Sequence, residues 1–412
     1  MSDESNVKTL PKRNEIPVEE TWNLEAIFSD DAAWEKEFQE VKALIPKMAD
    51  YQGKLVESAE TLYEALKLEN TISMRLSKLY TYAHMRYDQD TTNSHYQALN
   101  DRAGNLAMQF SSNTSFIIPE LLTIPEERID RFLKENEKLT LYAHFLDEVN
   151  RQRPHVLTKE EEALLAEASE VTNASANTFG MLNNADLKFP AIIDEDGKKV
   201  EVTHGRYIRF MESEDRNVRK QAFVAVYSTY DKFKNTFAST LSGAVKKNNF
   251  YARIRRFRSA QEASLYQNNI PVSVYDNLVK TVNDRLDLLH RYVALRKKIL
   301  GVDELHMYDL YAPLVKQAKM VFSFDEAKRT ILNGLAPLGV DYVSTVEKGF
   351  ENRWIDVYES VGKRSGAYSS GTYGTMPYIL MNWQDDVNSL FTLAHELGHS
   401  MHSYYTWKHQ PY

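Results

Sequence analysis

Apolar side chains recur every three or four residues along most of the chain, which is the spacing of helices that bury one face. One such stripe between residues 62 and 83 and another between residues 218 and 244 each predict a long helix. A further helix is predicted to start at Thr158, because Glu161 follows at the spacing of a capping box. The two stripes consist of Leu62, Ala65, Leu66, Ile72, Leu76, Leu79 and Ala83, and of Val218, Ala222, Val226, Tyr230, Phe233, Phe237, Leu241 and Ala244.

Two segments break this helical period. Residues 187–204 alternate around Asp196-Gly197, a turn signal that predicts a β-hairpin. Residues 362–374 are rich in glycine, and the apolar run Tyr378–Met381 that follows predicts a short buried strand. Helical spacing then returns, and Asp385 or Asp386 can cap the new helix. We therefore predict a mainly α fold with a small β-hairpin and strand element.

Composition excludes several classes of function. Hydrophobic residues make up 43% of the chain and charged residues 26%, which is typical of globular proteins. A net charge of −8 argues against nucleic acid or an anionic membrane as the main partner. No run approaches the ~18 apolar residues of a membrane helix, and the polar N-terminus lacks the apolar core of a signal peptide. We expect a cytoplasmic protein.

The absence of cysteine narrows the possible chemistry further. It excludes disulfides, thiol catalysis and thiolate metal ligands. Any metal ion must then be held by histidine, carboxylate or water.

The stretch LFTLAHELGHSMHSYY, residues 390–405, contains the motif H-E-x-x-H. On a helix, His395 and His399 project from one face, so both imidazoles can reach one zinc ion at ~2.0–2.1 Å. Glu396 points about 100° away, where it can take a proton from a water whose pKa the metal lowers. We predict His395 and His399 as metal ligands and Glu396 as the catalytic base. The alternative is a structural helix that happens to carry histidines.

The residues around the motif refine this prediction. Gly398 makes the helix less favourable by ~1 kcal/mol. A close neighbour or a substrate that needs the space would explain a glycine at this position. The spacing of His402 favours a role in packing or in supporting the metal ligands. His409 is not spaced from the motif in a way that suggests a role. The metzincin pattern is excluded, because His402 and Tyr405 stand where it requires glycine and histidine. A catalytic zinc site needs a third protein ligand, yet no Asp or Glu follows His399.

The chain resembles the M3 family of zinc metallopeptidases and, within it, the oligoendopeptidase F group. The resemblance rests on the segments at residues 395–403 and 362–383, with support from residues 20–28 and 259–271. It implies a large helical zincin-like fold, one zinc ion and hydrolysis of internal bonds in short peptides within a narrow channel. It also implies that residues 366–381 lie along the substrate cleft.

Residues 1–20 contain Pro11 and Pro17 and few apolar residues, which predicts a flexible lead-in. The hairpin segment marks a boundary between an N-terminal helical domain (21–186) and the rest of the chain (187–412), which the resemblance identifies as the leading part of the catalytic domain. In this family the third ligand is a glutamate further along the chain. We expect it beyond residue 412, so that the fold is incomplete at the C-terminus. Zinc binding should then be weak and peptidase activity low.

There are four alternatives to the peptidase hypothesis. A non-catalytic helical fragment or binding scaffold could keep the two histidines without turnover. A serine hydrolase has no G-x-S-x-G to support it. A phosphate loop at VGKRSG is rejected, because Val357 and Arg364 occupy positions that a Walker A motif reserves for glycine and Ser/Thr. The basic cluster Arg253–Arg258 is better explained as a solvated helix end than as a nucleic-acid site.

Overall fold

A computed structural model describes residues 10–315 and 321–412. The helices are α1 Asp31–Leu44, α2 Ala59–Gln89, α3 Ser94–Thr114, α4 Ile117–Thr123, α5 Glu126–Glu135, α6 Ala143–Gln152, α7 Lys159–Glu167, α8 Ser169–Met181, α9 His204–Met211, α10 Arg216–Lys232, α11 Lys234–Ile254, α12 Ala260–Tyr266, α13 Val272–Asn283, α14 Leu286–Leu300, α15 Phe324–Gly334, α16 Val340–Glu351 and α17 Val387–His409. The strands are β1 Ala191–Ile193, β2 Lys199–Glu201, β3 Ile355–Asp356, β4 Tyr368–Ser370 and β5 Tyr378–Leu380. The mainly α fold predicted from the sequence is confirmed.

The described residues form two compact units. The first combines residues up to Arg151 with residues from 321 onward, and the second runs from Gln152 to 315. This division differs from the boundary between residues 186 and 187 that the hairpin segment suggests, and that boundary stays a prediction. No helix in the described part of the chain is both long and apolar enough to span a membrane.

The first unit is built around α2. The side chain of Ser58 caps this helix by accepting a hydrogen bond from the N–H of Thr61 at 3.1 Å. All seven apolar residues of the predicted stripe are buried, and they pack with α1, α3 and the helices that follow into one hydrophobic core. The prediction of a long helix with a core-facing side is confirmed here.

A three-stranded sheet in the first unit carries the second hydrophobic core of that unit. The strand order is β3-β5-β4, with β5 parallel to β3 and antiparallel to β4. The predicted strand at Tyr378 is β5, and all three of its residues are fully buried. Apolar residues of α15, α16 and α17 cover the sheet. The sheet therefore fixes α17 beside the edge strand β4.

Residues 10–20, predicted as a flexible lead-in, contribute a charged side chain to this unit. Arg13 Nη1 donates to Asp356 Oδ1 at 2.8 Å, and the ammonium of Lys363 lies 2.7 Å from the same oxygen. The side chains of Asp356 and Lys363 are both fully buried. Burial alone would raise the pKa of Asp356, but the two cations outweigh it and lower that pKa. Lys363 thereby ties the glycine-rich segment to β3.

The second unit contains the predicted hairpin. Strands β1 and β2 pair antiparallel around Asp196-Gly197, and Gly197 has a φ of +75°, which glycine adopts without strain. The predicted capping box is also present, because the N–H of Thr158 donates to Glu161 at 2.9 Å and the N–H of Glu161 to Thr158 at 3.3 Å. Both local predictions are confirmed.

The apolar stripe between residues 218 and 244 does not form the single helix that was predicted. It is divided between α10 and α11, because the backbone leaves helical geometry at Phe233. Val218, Ala222 and Val226 are buried, but Leu241 is 67% exposed. Tyr230, Phe233 and Phe237 are partly buried against the same core, so the prediction of one continuous core face is wrong only at its end.

A buried carboxylate organises the end of the second unit. Asp309 is fully buried and accepts hydrogen bonds from Arg216 and Arg219, each at 2.9 Å, and from the N–H of His306 at 3.0 Å. Burial alone would raise the pKa of Asp309, but these three donors lower it to about 2. Arg296 donates to the carbonyl oxygen of Asp309 at 3.1 Å, which fixes the loop after α14.

Candidate functional site

The helix α17 carries the H-E-x-x-H motif, and its start follows one of the two predicted caps. The side chain of Asp386 accepts a hydrogen bond from the N–H of Ser389 at 2.6 Å. Asp385 instead has a φ of +55° and accepts a hydrogen bond from the indole of Trp383 at 2.8 Å. The cap at Asp386 sets the register in which the motif residues project from the helix.

The two sides of α17 have opposite characters. Leu393, Leu397 and Met401 are buried in the core that covers the sheet. His395 and His399 are exposed on the other side. The apolar spacing of the helix thus anchors one face and presents both imidazoles to solvent.

The two motif histidines point at each other. Their Nε2 atoms lie 3.0 Å apart, and the ring planes are inclined by 80°. Two nitrogens bound at ~2.0–2.1 Å to one tetrahedral zinc ion would be ~3.3 Å apart. Imidazole nitrogens are ligands that zinc accepts, so this pair fits the group that the motif implies. A small rotation of either ring would bring the separation to the required value.

Glu396 lies beside the histidines and faces a pocket. Only 8% of this residue is exposed, although it is adjacent in sequence to an exposed histidine. The pocket has a volume of about 370 Å³. A carboxylate in such a position can accept a proton from a small molecule held in the pocket. The lining consists of Ala367, Tyr368, Ser369, Glu396, His399, His402 and Ser403.

The opposite wall of the pocket is the edge strand β4. Ser369 and Ser400 connect the strand to α17 through their hydroxyls, which lie 2.8 Å apart. The hydroxyl of Tyr368 donates to the buried carboxylate of Asp88 in α2 at 2.8 Å. Burial, followed by the charge of Asp88, raises the pKa of Tyr368, so this phenol stays protonated. The strand is therefore held from both sides.

The glycine-rich segment approaches the helix closely. Gly371 has a φ of +142°, and a Cβ atom at this position would lie 2.5 Å from the ring of Trp407. No other residue could be placed there without moving the loop or the helix. Asn382 secures the start of the segment by donating to the carbonyl oxygens of Arg364 and Gly366 at 3.0 and 2.8 Å.

The structure also describes the other residues singled out in the sequence. His402 is exposed and lines the pocket, whereas His409 stacks on Tyr405 at the end of the helix. Gly398 faces open space, because an added Cβ would meet nothing within 4 Å. In the basic cluster, Arg255 pairs with Glu162 and Arg258 with Glu262.

The part of the chain that the structure describes shows no third metal ligand. Among residues 10–315 and 321–412, no group of three or more histidine or carboxylate side chains is arranged to hold a metal ion. The two histidines and Glu396 come together because they share one helix. Asp88, Tyr368, Ser369 and Ser400 were missed by sequence reasoning, and the only available signal was the predicted closeness of the segment before β5 to the helix.

Comparison with known proteins gives consistent matches. The family model described as "Peptidase family M3" matches residues 209–412, and the model described as "Oligopeptidase F" matches residues 120–189. Oligopeptidase PepF of Bacillus subtilis is 60% identical over all 412 residues, and the chain spans 62% of its length. Group B oligopeptidase PepB of Streptococcus agalactiae is 46% identical over 97% of this chain and 66% of its own length.

Solved structures agree with the sequence matches. A crystal structure of a Chlamydophila abortus protein superposes with a TM-score of 0.90 at 33% identity, covering 98% of this chain and 68% of that one. The crystal structure of oligoendopeptidase-F from Enterococcus faecium has a TM-score of 0.57 at 40% identity, over 77% of this chain and 61% of that one. The chain therefore spans about two thirds of the length of the proteins that it matches.

Proposed function

The chain belongs to peptidase family M3, close to the oligoendopeptidase F group, and on that premise we propose that it carries the zinc-binding and proton-transfer residues of an oligopeptidase. The proposed reaction is hydrolysis of internal bonds in short peptides. The observation that carries the proposal is the 3.0 Å approach of the two Nε2 atoms of His395 and His399. Glu396 lies next to them in a pocket bounded by β4.

Each motif residue has a separate role in this proposal. His395 and His399 hold the ion through Nε2. A bound zinc ion supplies Lewis acidity, polarising a peptide carbonyl and lowering the pKa of a water molecule. Glu396 accepts the proton from the attacking water and passes it to the leaving amine. Because Glu396 is largely screened from solvent, its carboxylate is restricted to the pocket, where a peptide would lie.

Edge strand β4 supports a peptide-sized ligand beside this machinery. Its hydrogen bonds through Ser369 to α17 and through Tyr368 to α2 hold this wall of the pocket on both sides. We propose the cytoplasm as the compartment, since a chain with no cysteine fits a reducing environment.

The third ligand is the incomplete part of the proposal. We expect it from sequence beyond residue 412, and two imidazoles alone should bind zinc weakly. A second candidate function is therefore a non-catalytic helical scaffold that keeps the histidine pair. The absence of a three-ligand group among the described residues favours this alternative for the 412-residue chain.

Zinc stoichiometry and peptide cleavage separate the two candidates. The chain is dialysed against micromolar zinc, and bound metal is measured by mass spectrometry. We expect substoichiometric zinc, rising towards one ion per chain at higher zinc, and lost in His399→Ala. His409→Ala is the matched control, because that histidine lies on the same helix and stacks on Tyr405.

Peptidase activity is measured as the cleavage rate of an internally quenched octapeptide. Weak activity that disappears in Glu396→Gln, while zinc binding is retained, supports the peptidase. Zinc binding without any cleavage favours the scaffold. Zinc content equal in the wild type and His399→Ala would contradict the metal site itself.

A further inference from the structure

Helices α13 and α14 carry an uncovered apolar surface. Among their residues only Arg296 is buried, and α13 has no buried residue at all. Ten large hydrophobic side chains between residues 272 and 300 are 43–61% exposed. They recur at helical spacing on one side of each helix. We call this surface the α13–α14 face, and its central members are Tyr275, Leu278, Val282, Leu288, Leu295 and Ile299.

An apolar surface of this kind is expected to be covered. Stripes at spacings of three and four residues are typical of helices that pack one face against a neighbour. Soluble monomers seldom expose contiguous apolar patches larger than a few hundred Å². The buried hydrophobic core of the second unit is formed by residues between Leu182 and Val226 and includes nothing from these two helices. We therefore expect the α13–α14 face to pack against a partner surface.

The charges carried by α13 and α14 indicate what covers the face. Residues 272–300 contain six basic and three acidic side chains, whereas the whole chain has a net charge of −8. Two copies meeting through this face would bring like charges together, which opposes self-association. A partner with an apolar centre and acidic edges matches it better.

The comparisons indicate where such a partner comes from. The chain spans 62% of Bacillus subtilis PepF and 68% of the Chlamydophila abortus chain, on which it superposes with a TM-score of 0.90. About a third of the length of each of these relatives therefore lies outside the part that this chain matches. We propose that the α13–α14 face is the docking surface for the segment that M3 oligopeptidases carry beyond the part matched here. This proposal rests on family membership and does not depend on zinc or catalysis.

The first test measures protection of the face by single-cysteine labelling. The chain has no cysteine, so Leu278→Cys provides one reporter on the face. Lys280→Cys is the matched control, since this exposed residue lies about 200° around the same helix. Each variant is prepared as the 412-residue chain and as a chimera extended at residue 412 with the unmatched C-terminal part of PepF. Maleimide labelling rates are compared.

We expect Leu278→Cys to react at least tenfold more slowly in the chimera than in the 412-residue chain. Lys280→Cys should react at similar rates in both. Equal rates for Leu278→Cys would overturn the proposal. Protection in the 412-residue chain alone, increasing with its concentration, would assign the face to a second copy and also overturn it.

The second test does not depend on folding of the chimera. The C-terminal part of PepF is co-expressed with a tag as a separate polypeptide, and copurification of the 412-residue chain is measured. Copurification should be lost in Leu278→Glu and kept in Lys280→Glu. Failure of the wild-type chain to copurify, or retention of Leu278→Glu, would overturn the docking surface. Neither outcome changes the zinc and cleavage results, so the two proposals fail independently.

Discussion

The hydroxyl of Tyr368 in β4 donates a hydrogen bond of 2.8 Å to the carboxylate of Asp88, a residue of α2 that is 1% exposed. This bond connects the helical core of the first unit to the wall of the candidate site. Asp88 also pairs with Arg364 at 3.2 Å, so the same carboxylate holds the glycine-rich segment. Residues far from the motif therefore determine where the edge strand lies.

Replacing Tyr368 with phenylalanine should reduce the free energy of unfolding by about 1–2 kcal/mol, because a buried carboxylate loses a donor. Asp88→Asn should have a similar effect, and the double variant should be less destabilised than the sum. Urea unfolding followed by circular dichroism measures all three. Tyr373→Phe is the control, since its hydroxyl bonds only to exposed carbonyl oxygens at the chain end. Additive effects would mean that the bond contributes nothing.

Replacing Gly398 with alanine should stabilise the chain by about 0.5–1 kcal/mol, because the position is helical and the added methyl group meets no atom. Gly398 is exposed and directly precedes His399, so an added methyl group should lower peptide affinity severalfold. Gly104→Ala in α3 is the matched control, with equally open space. It should give the stability gain alone. Unchanged peptide affinity in Gly398→Ala, measured by fluorescence anisotropy, would show that the site does not need the open position.

The pH dependence of stability should report on Asp309. Its pKa of about 2 in the folded chain lies below the value of an unfolded aspartate, so its contribution is present above pH ~4 and is lost as the pH falls towards 2. The contribution is on the order of 2 kcal/mol. In urea titrations, the stability difference between the wild type and Asp309→Asn should be constant from pH 5 to 7. A difference that does not shrink below pH 4 would contradict the ion-pair assignment.

Arg13→Ala should destabilise the first unit by about 2 kcal/mol, because the buried Asp356 then keeps only Lys363 as a cationic partner. The same change should make residues 10–20 more sensitive to limited proteolysis. Lys12→Ala is the control, since that side chain is exposed. Equal cleavage rates in the two variants would mean that Arg13 does not hold the segment.

Local signals in the sequence predicted the elements of the site well. The helix α17 follows from a capping aspartate and from apolar residues at helical spacing, both within one segment. The position of His395, Glu396 and His399 on it then follows from helix geometry. The hairpin at Gly197 and the cap at Thr158 were predictable for the same reason, since each depends on residues a few positions apart.

Long-range contacts and exposure were not predictable in this way. Asp88 and Tyr368 are 280 positions apart, and no local pattern links them. Periodicity identifies which residues share a face, but it does not say what covers that face. Leu241 continues the stripe of α10 and is nevertheless exposed, as are the apolar residues of α13 and α14. These errors have one physical origin, because burial depends on partners elsewhere.

The contact between Arg13 and Asp356 also has a consequence for synthesis on the ribosome. The two residues are 343 positions apart, and the whole second unit lies between them. At about 5–20 residues per second, translation needs roughly 17–70 s to reach Asp356 after Arg13 has been made. The first unit therefore cannot close its buried charge cluster during early elongation. Its N-terminal helices must wait for their last partners until the second unit has been made.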